Sequence, residues 1–276
     1  MTTTGPSFHE LEQAGWEQAS VVSAYHEHLA TVTAQSVVPL LDAAGVCKGS
    51  RILDVATGPG FVAAAAAQRG ADAIGIDFSS AQVRMARELH PLVRFEQADA
   101  EALPFEPDSF DAVVNAYGMC HLPNPDAALR EAFRVLKRGG RVAFTVWDTP
   151  ERTVGLGAVY AAVRAHGSIE VGLPAGPSFF LFSDPEQSAR VLRNAGFDSP
   201  SCRQVPQVWR IADPETLFEV LTTGTVRAAA MLRAQSAGAR DAIRAALRTT
   251  VMEYRRGEYF DIPMPAVLAT AVKPGL

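Results

Sequence analysis

Apolar positions along the chain fall in short runs closed by glycine- or proline-containing breaks, and these runs alternate with longer stretches that carry an apolar stripe at helical spacing. The first clear run, Arg51–Ala56, brings Ile52, Leu53 and Val55 together and predicts a buried strand. Thr57-Gly58-Pro59-Gly60 breaks it. The alanine-rich stretch Phe61–Arg69 has no β-branched residue after Val62, which favours helix, and Gly70 supplies a stop. Ala73-Ile74-Gly75-Ile76 predicts a second strand ending at Asp77, after which Ser79 or Ser80 caps a helix running to His90 and Pro91. Val93–Ala98 predicts a third strand ending at Asp99, and Phe110–Ala116 a fourth. Asn124–Leu136 reads as a helix closed by Lys137-Arg138-Gly139-Gly140, and Arg141–Trp147 as a fifth strand.

Strands alternating with helices imply an α/β chain with a doubly wound, mostly parallel sheet. The flanks are less regular. Residues 1–15 predict disorder or loose packing, whereas Trp16 to Ala44 carries a helical stripe of Val21, Val22, Tyr25, Leu29 and Val32, with a second helix starting near Val37 and ending near Gly45. Beyond Trp147, residues 153–166 and 184–195 predict helices on either side of a Gly/Pro/Phe-rich loop, 172–182. Residues 201–211 predict a sixth strand, 213–256 two or three helices, and 259–272 a last strand that brings the sheet to seven. Pro263 and Pro265 argue that this last strand lies at an edge.

Composition narrows the function classes. The chain has 276 residues, which suits one large domain or a core with an appendage, and 48% are hydrophobic. A net charge of −5 gives no general attraction to nucleic acid or anionic membrane. No apolar run reaches the roughly 20 residues that span a bilayer. The start, MTTTGPSFHELEQAG, has no basic segment followed by an apolar one, so no secretory signal is read there. Cys47, Cys120 and Cys202 are widely spaced, which suits free thiols in a reducing cytoplasm, and no ligand spacing points to a metal.

The chemistry gathers on one rim. Ligands of a doubly wound sheet bind at the carboxyl ends of its strands, where Asp54, Asp77, Asp99, Asn115 and Asp148 fall together. Glycines at the first strand-to-helix turn expose backbone N–H groups, and an acid at the tip of the second strand can accept from ribose hydroxyls. Gly58-Pro59-Gly60-Phe61-Val62-Ala63 also satisfies the dinucleotide pattern. Two features oppose a pyrophosphate: Pro59 offers no N–H, and Asp54 would repel phosphates while accepting from an amino group. A ligand with an ammonium and a sulfonium fits these charges better.

Five motifs, in order and spacing, resemble the class I S-adenosylmethionine-dependent methyltransferases: Leu53-Asp54-Val55-Ala56-Thr57-Gly58-Pro59-Gly60, Gly75-Ile76-Asp77-Phe78-Ser79, Ala98-Asp99-Ala100-Glu101-Ala102-Leu103-Pro104-Phe105, Phe110-Asp111-Ala112-Val113-Val114-Asn115 and Arg134-Val135-Leu136-Lys137-Arg138-Gly139-Gly140. Together they cover about residues 51–148, and Leu103-Pro104-Phe105 with Arg134-Val135-Leu136-Lys137-Arg138-Gly139-Gly140 resembles the small-molecule branch that includes the ubiquinone/menaquinone C-methyltransferases. The resemblance implies a Rossmann-like seven-stranded domain over 49–276, with a cofactor core at 51–148, an N-terminal helical cap at 1–48, and a C-terminal helical insertion forming a lid from segments 153–182 and 213–258. It implies S-adenosyl-L-methionine as cofactor, with Asp54 and the Gly58–Gly60 loop on the methionine portion and Asp77 on the ribose hydroxyls. It sets Phe78 against the adenine, Asp99 and the Ala100 N–H on the adenine edge, and Asn115 and Ala116 at the sulfonium. Ala56 stands where the family usually has glycine, and fits if its φ is negative.

For the acceptor, Tyr25, His28, Tyr117, Trp147, Phe180 and Trp209, together with Phe179, are pocket candidates. His121 and Glu170 are candidate catalytic groups, with His26, His28 and His166 behind them, and His121 reads first as a residue that structures the loop before Pro123. The partner expected is a small, hydrophobic substrate, with no nucleic acid and no membrane span; a homodimer is compatible with this reading. Two alternatives stand beside methyl transfer: a nicotinamide-dependent oxidoreductase, which the glycine pattern alone allows, and a cofactor-binding protein without turnover.

Overall fold

A computed structural model describes residues 6–275. The strands are β1 (Arg51–Val55), β2 (Asp72–Asp77), β3 (Arg94–Gln97), β4 (Phe110–Ala116), β5 (Leu136–Trp147), β6 (Asp198–Val205), β7 (Val208–Ile211), β8 (Arg255–Arg256), β9 (Tyr259–Pro263) and β10 (Ala266–Val272). The helices are α1 (Phe8–Trp16), α2 (Ala19–His28), α3 (Ala30–Thr33), α4 (Val37–Ala43), α5 (Phe61–Gln68), α6 (Ser80–Leu89), α7 (Pro125–Val135), α8 (Val154–His166), α9 (Pro185–Asn194), α10 (Thr216–Thr223), α11 (Arg227–Arg233) and α12 (Ala237–Met252).

Contacts divide the chain into two units. The larger one holds Thr33–Trp147, Pro177–Val205 and the segment from Ala266 onward. Its sheet has seven strands in the order β3-β2-β1-β4-β5-β10-β6. The first five pair in parallel, and β10 runs antiparallel to both β5 and β6. This is the doubly wound, seven-stranded architecture expected of the sequence. Successive strands proceed to one side of β1 through β2 and β3, and to the other through β4 and β5. The crevice at the carboxyl ends of β1 and β4 is therefore the topological switch point, where such sheets take ligands.

The core of this unit follows from period-two patterning on its strands. Leu53 and Val55, Val113, and Val142, Phe144 and Val146 face a layer that contains Leu129, Ala132 and Val135 of α7 and Val191 and Leu192 of α9. Gly75 lets the sheet accept Phe95, because a Cβ there would stand 2.6 Å from the Phe95 ring and from the Thr57 hydroxyl.

The smaller unit collects the described residues up to Val32, then Asp148–Gly176 and Pro206–Pro265. It contains a three-stranded antiparallel sheet ordered β7-β9-β8 and helices α1, α2, α8, α10, α11 and α12. Contacts thus group the described residues up to Val32 with later segments of the chain.

Three expectations are corrected here. Residues 201–211 form two strands in different sheets, because Pro206 lacks the donor that a continuing ladder needs. Residues 259–272 split likewise: Pro263 ends β9, Met264 and Pro265 form the link, and β10 is an interior strand flanked by β5 and β6. Residues 8–16 are helical. Ser7 Oγ accepts from the Glu10 N–H at 3.2 Å and Glu10 Oε2 accepts from the Ser7 N–H at 2.6 Å, a capping box that starts α1. The first five residues of the stretch expected to be loose lie outside the described residues.

Candidate functional site

The site is built at the tips of β1, β2 and β4. Asp54 lies one residue before the end of β1 and is fully buried. Its Oδ2 accepts from the Thr57 hydroxyl at 2.5 Å and from the Ala63 N–H, in the first turn of α5, at 3.1 Å. Its Oδ1 is buried with no hydrogen-bond partner. Burial pushes the Asp54 carboxyl up to about 7, against the two hydrogen bonds that pull it down, and the nearby Asp77 charge adds to the rise. A buried carboxylate oxygen with nothing to accept is a place prepared for a cationic donor.

The glycine loop is shaped by its neighbours. Gly58 has φ +52° and Gly60, the residue before α5, φ +85°, conformations that suit glycine. A Cβ on Gly60 would also stand 2.6 Å from Phe95 and 3.1 Å from His90, whereas one on Gly58 would meet only Gln82 Oε1, at 3.9 Å. Asp77 at the tip of β2 is 5% exposed and accepts from the Gly58 N–H and the Ser79 N–H, each at 2.9 Å. It therefore ties the loop to β2 and retains further lone pairs for a ligand. Phe78 beside it is half-buried, with its carbonyl accepting from Gln97 Nε2 at 2.9 Å.

Ala56 departs from expectation. Its φ is +54°, in the left-handed region, so the alanine adopts the glycine conformation instead of avoiding it. Gly118 makes room for its methyl group: a Cβ on Gly118 would stand 2.6 Å from the Ala56 Cβ. Ala56→Gly is expected to stabilise the protein by about 0.5–1 kcal/mol, because the strain outweighs the added freedom of the unfolded chain. A lower Tm for this variant would contradict that.

Asn115, expected at the sulfonium, has its amide engaged by the protein itself. It is 5% exposed, and its Nδ2 donates to the Val55 carbonyl at 2.9 Å while its Oδ1 accepts from the Gly118 N–H at 2.9 Å and the Met119 N–H at 3.1 Å. The amide is committed to joining the β1 tip to the loop after β4. Ala116 is half-buried, and Tyr117 follows with φ +61°, its N–H donating to the Thr145 carbonyl at 2.8 Å. The Tyr117 ring lies 4.3 Å from the Trp147 ring, centroid to centroid. At the tip of β3, Asp99 is exposed and accepts from the Glu101 N–H at 2.8 Å, while Ala100 is buried.

His121 ends the turn Met119–His121, is half-buried, and sits edge-on to Phe179 at 6.3 Å. Phe179 in turn packs edge-on against Phe180 at 5.1 Å. The remaining candidates belong to the smaller unit. Trp209, on β7, is 2% exposed and is a core residue there; Tyr25 packs edge-on against Trp16 at 5.5 Å; and His28 ends α2, half-buried. Glu170 and His166 are exposed, His166 as the last residue of α8 and Glu170 in the loop after it. Asp148 is buried, with Oδ1 accepting from the Thr149 N–H at 2.7 Å and Oδ2 3.6 Å from Arg152.

Residues 53–144 match the family model described as "Methyltransferase domain". Over this stretch the chain is similar to the S-adenosylmethionine-dependent methyltransferases. A demethylmenaquinone methyltransferase of Renibacterium salmoninarum is 37% identical over 40% of this chain and 47% of its own length. A ubiquinone/menaquinone biosynthesis C-methyltransferase of Rhizobium leguminosarum bv. trifolii is 36% identical over 54% of this chain and 65% of its own length. The chain thus spans about half the length of the curated relatives it matches. Among solved structures, phosphoethanolamine N-methyltransferase 2 of Haemonchus contortus, in complex with S-adenosyl-L-methionine, is 20% identical, with TM-score 0.59 over 99% of this chain and 61% of that one. The YcgJ protein of Bacillus subtilis is 22% identical, with TM-score 0.55 over 87% of this chain and 98% of that one. At these identities the likeness is one of fold.

The methyltransferase motifs account for most of the rim but assign no role to three residues. Thr57, whose hydroxyl serves Asp54, is hidden in the glycine turn. Gly118 is needed because a Cβ there would stand 2.5 Å from the Asn115 amide nitrogen and 2.6 Å from the Ala56 methyl group. Gln82 leaves a signal in the sequence: it is polar on a face of α6 otherwise buried through Ala81, Val83 and Ala86.

Proposed function

We propose that the chain transfers a methyl group from S-adenosylmethionine to a small, hydrophobic acceptor. The observation that carries this reading is the unpaired, fully buried Asp54 Oδ1 beside a glycine loop bound to Asp77. When bound, S-adenosylmethionine supplies an electrophilic methyl group on a sulfonium. Asp54 Oδ1 takes the cofactor's ammonium, Asp77 accepts from its ribose, and Phe78, Asp99 and the Ala100 N–H address its adenine. Asn115 is a positioning residue: it holds the β1 and β4 tips in register.

The work left to the protein is alignment of two reactants and exclusion of water. The half-buried Phe179–Phe180 pair gives the larger unit aromatic surface suited to an apolar acceptor, while the Tyr117–Trp147 pair is buried in that unit. The two curated relatives named above are, by their names, a demethylmenaquinone methyltransferase and a C-methyltransferase of ubiquinone/menaquinone biosynthesis, which supports an acceptor of this chemical class. His121 can take a proton where the acceptor must lose one. Cys47, Cys120 and Cys202 are all free thiols, in keeping with a cytoplasmic setting. Among the described residues no helix is long and apolar enough to cross a membrane.

Calorimetric titration of the purified protein with S-adenosylhomocysteine, with NADH as a parallel titrant, tests the cofactor. Micromolar binding of the first and none of the second is expected. Binding of NADH alone would overturn the reading in favour of an oxidoreductase, and tight S-adenosylhomocysteine binding without turnover on any apolar acceptor would leave a cofactor-binding protein.

A further inference from the structure

Gln82 is the third residue of α6. Ser79 caps that helix by accepting from the Gln82 N–H at 3.1 Å, which fixes the first turn. Side chains on a helix lean toward its N-terminus, so Gln82 is turned back toward the tip of β2. The residue is 5% exposed, and its Oε1 is buried without a hydrogen-bond partner. That oxygen lies 3.9 Å from where a Gly58 Cβ would stand, and the Gly58 N–H is held by Asp77 Oδ2. Gln82 Oε1 and Asp77 therefore approach the glycine loop together.

A buried amide oxygen with no donor destabilises the free fold, whereas an apolar side chain of the same length would fit the Ala81, Val83 and Ala86 face. The orphaned oxygen therefore has a use only when a ligand donates to it. A cationic donor is matched by the Asp54 carboxylate, and a neutral amide oxygen suits a neutral hydroxyl. Resting on the cofactor reading above, we infer that Gln82 is a further cofactor-recognition residue, its Oε1 accepting from a hydroxyl of the cofactor's ribose beside Asp77.

The test uses Gln82→Met and calorimetric titration with S-adenosylhomocysteine and its 2′-deoxy and 3′-deoxy analogues. The variant is expected to bind S-adenosylhomocysteine about tenfold more weakly than wild type. With the analogue that lacks the recognised hydroxyl, the two proteins should bind within about twofold of one another. The ligand-free variant should melt about 3 °C higher, because its orphaned amide is gone. Equal affinity of both proteins for S-adenosylhomocysteine would overturn the assignment. So would a tenfold loss shared by all three ligands, or a lower Tm of the free variant, since each marks an amide that only shapes the loop. Failure of wild type to bind S-adenosylhomocysteine at all would instead remove the cofactor reading on which the inference stands.

Discussion

Replacing Asp54 by asparagine is expected to raise the stability of the ligand-free protein at pH 8 while weakening its affinity for S-adenosylhomocysteine about 10- to 100-fold. Both effects come from one buried carboxyl. Above about 7, where burial has pushed its ionisation, the folded protein must carry a charge that is neither hydrated nor paired. The unfolded chain releases the same proton near pH 3.9. Between about 4 and 7 the folded state therefore holds the extra proton, so stability falls as pH rises through this window and levels off above it. A displacement of that size sets a ceiling of about 4 kcal/mol on the loss. Asparagine keeps an oxygen for the Thr57 hydroxyl and the Ala63 N–H but removes the charge, so the Tm advantage of the variant should grow from pH 5 to pH 8. Identical pH profiles for the two proteins would sink this account.

Ligand binding reverses the sign. A bound ammonium favours the ionised carboxyl, so wild-type affinity should rise with pH up to about 7, roughly tenfold per pH unit well below it, with release of one proton. The variant should lack both the slope and the proton release. Calorimetry at pH 6 in buffers of different ionisation enthalpy counts the proton directly.

What the sequence made legible follows from how local each signal was. β1 to β5 and the helices between them were readable because each strand is a short apolar run closed by its own glycine, proline or acid, as at Thr57-Gly58-Pro59-Gly60 and His90-Pro91. Asp54 and Asp77 were readable for the same reason, since their positions at strand tips follow from the pattern alone. The last seventy residues were harder. Pro206 and Pro263 mark where the chain leaves one sheet for another, and a strand that changes sheets has the same alternation as one that does not. α1 was hidden by an acid on its buried face. Glu12 is 2% exposed and is satisfied by the Trp16 indole at 3.1 Å and by Arg227 at 3.2 Å, more than two hundred residues later in the chain. Ala56 was misread because steric reasoning on one residue could not reveal that Gly118, on another strand's loop, admits its methyl group in the left-handed conformation.

Asn115 shows the same limit at the centre of the site, and removing its side chain should have the second large effect. Asn115→Ala leaves the Val55 carbonyl and the Gly118 and Met119 N–H groups without the partners they now have. Each such buried group costs about 1–3 kcal/mol, and water entering the vacated volume recovers part, so a loss of about 3–5 kcal/mol is expected in urea denaturation. A side chain reserved for the ligand would behave differently: stability within about 1 kcal/mol of wild type, with only cofactor affinity reduced. Asn115→Asp separates the two further. Its carboxylate still accepts from the Gly118 and Met119 N–H groups, but opposite the Val55 carbonyl it must be protonated to donate. This variant should therefore be more stable relative to wild type at pH 5 than at pH 8, and a difference that did not change with pH would place Asn115 away from that carbonyl. The tips of β1 and β4 meet at the switch point of the sheet, so a residue that joins them sets the shape of whatever ligand lies across it.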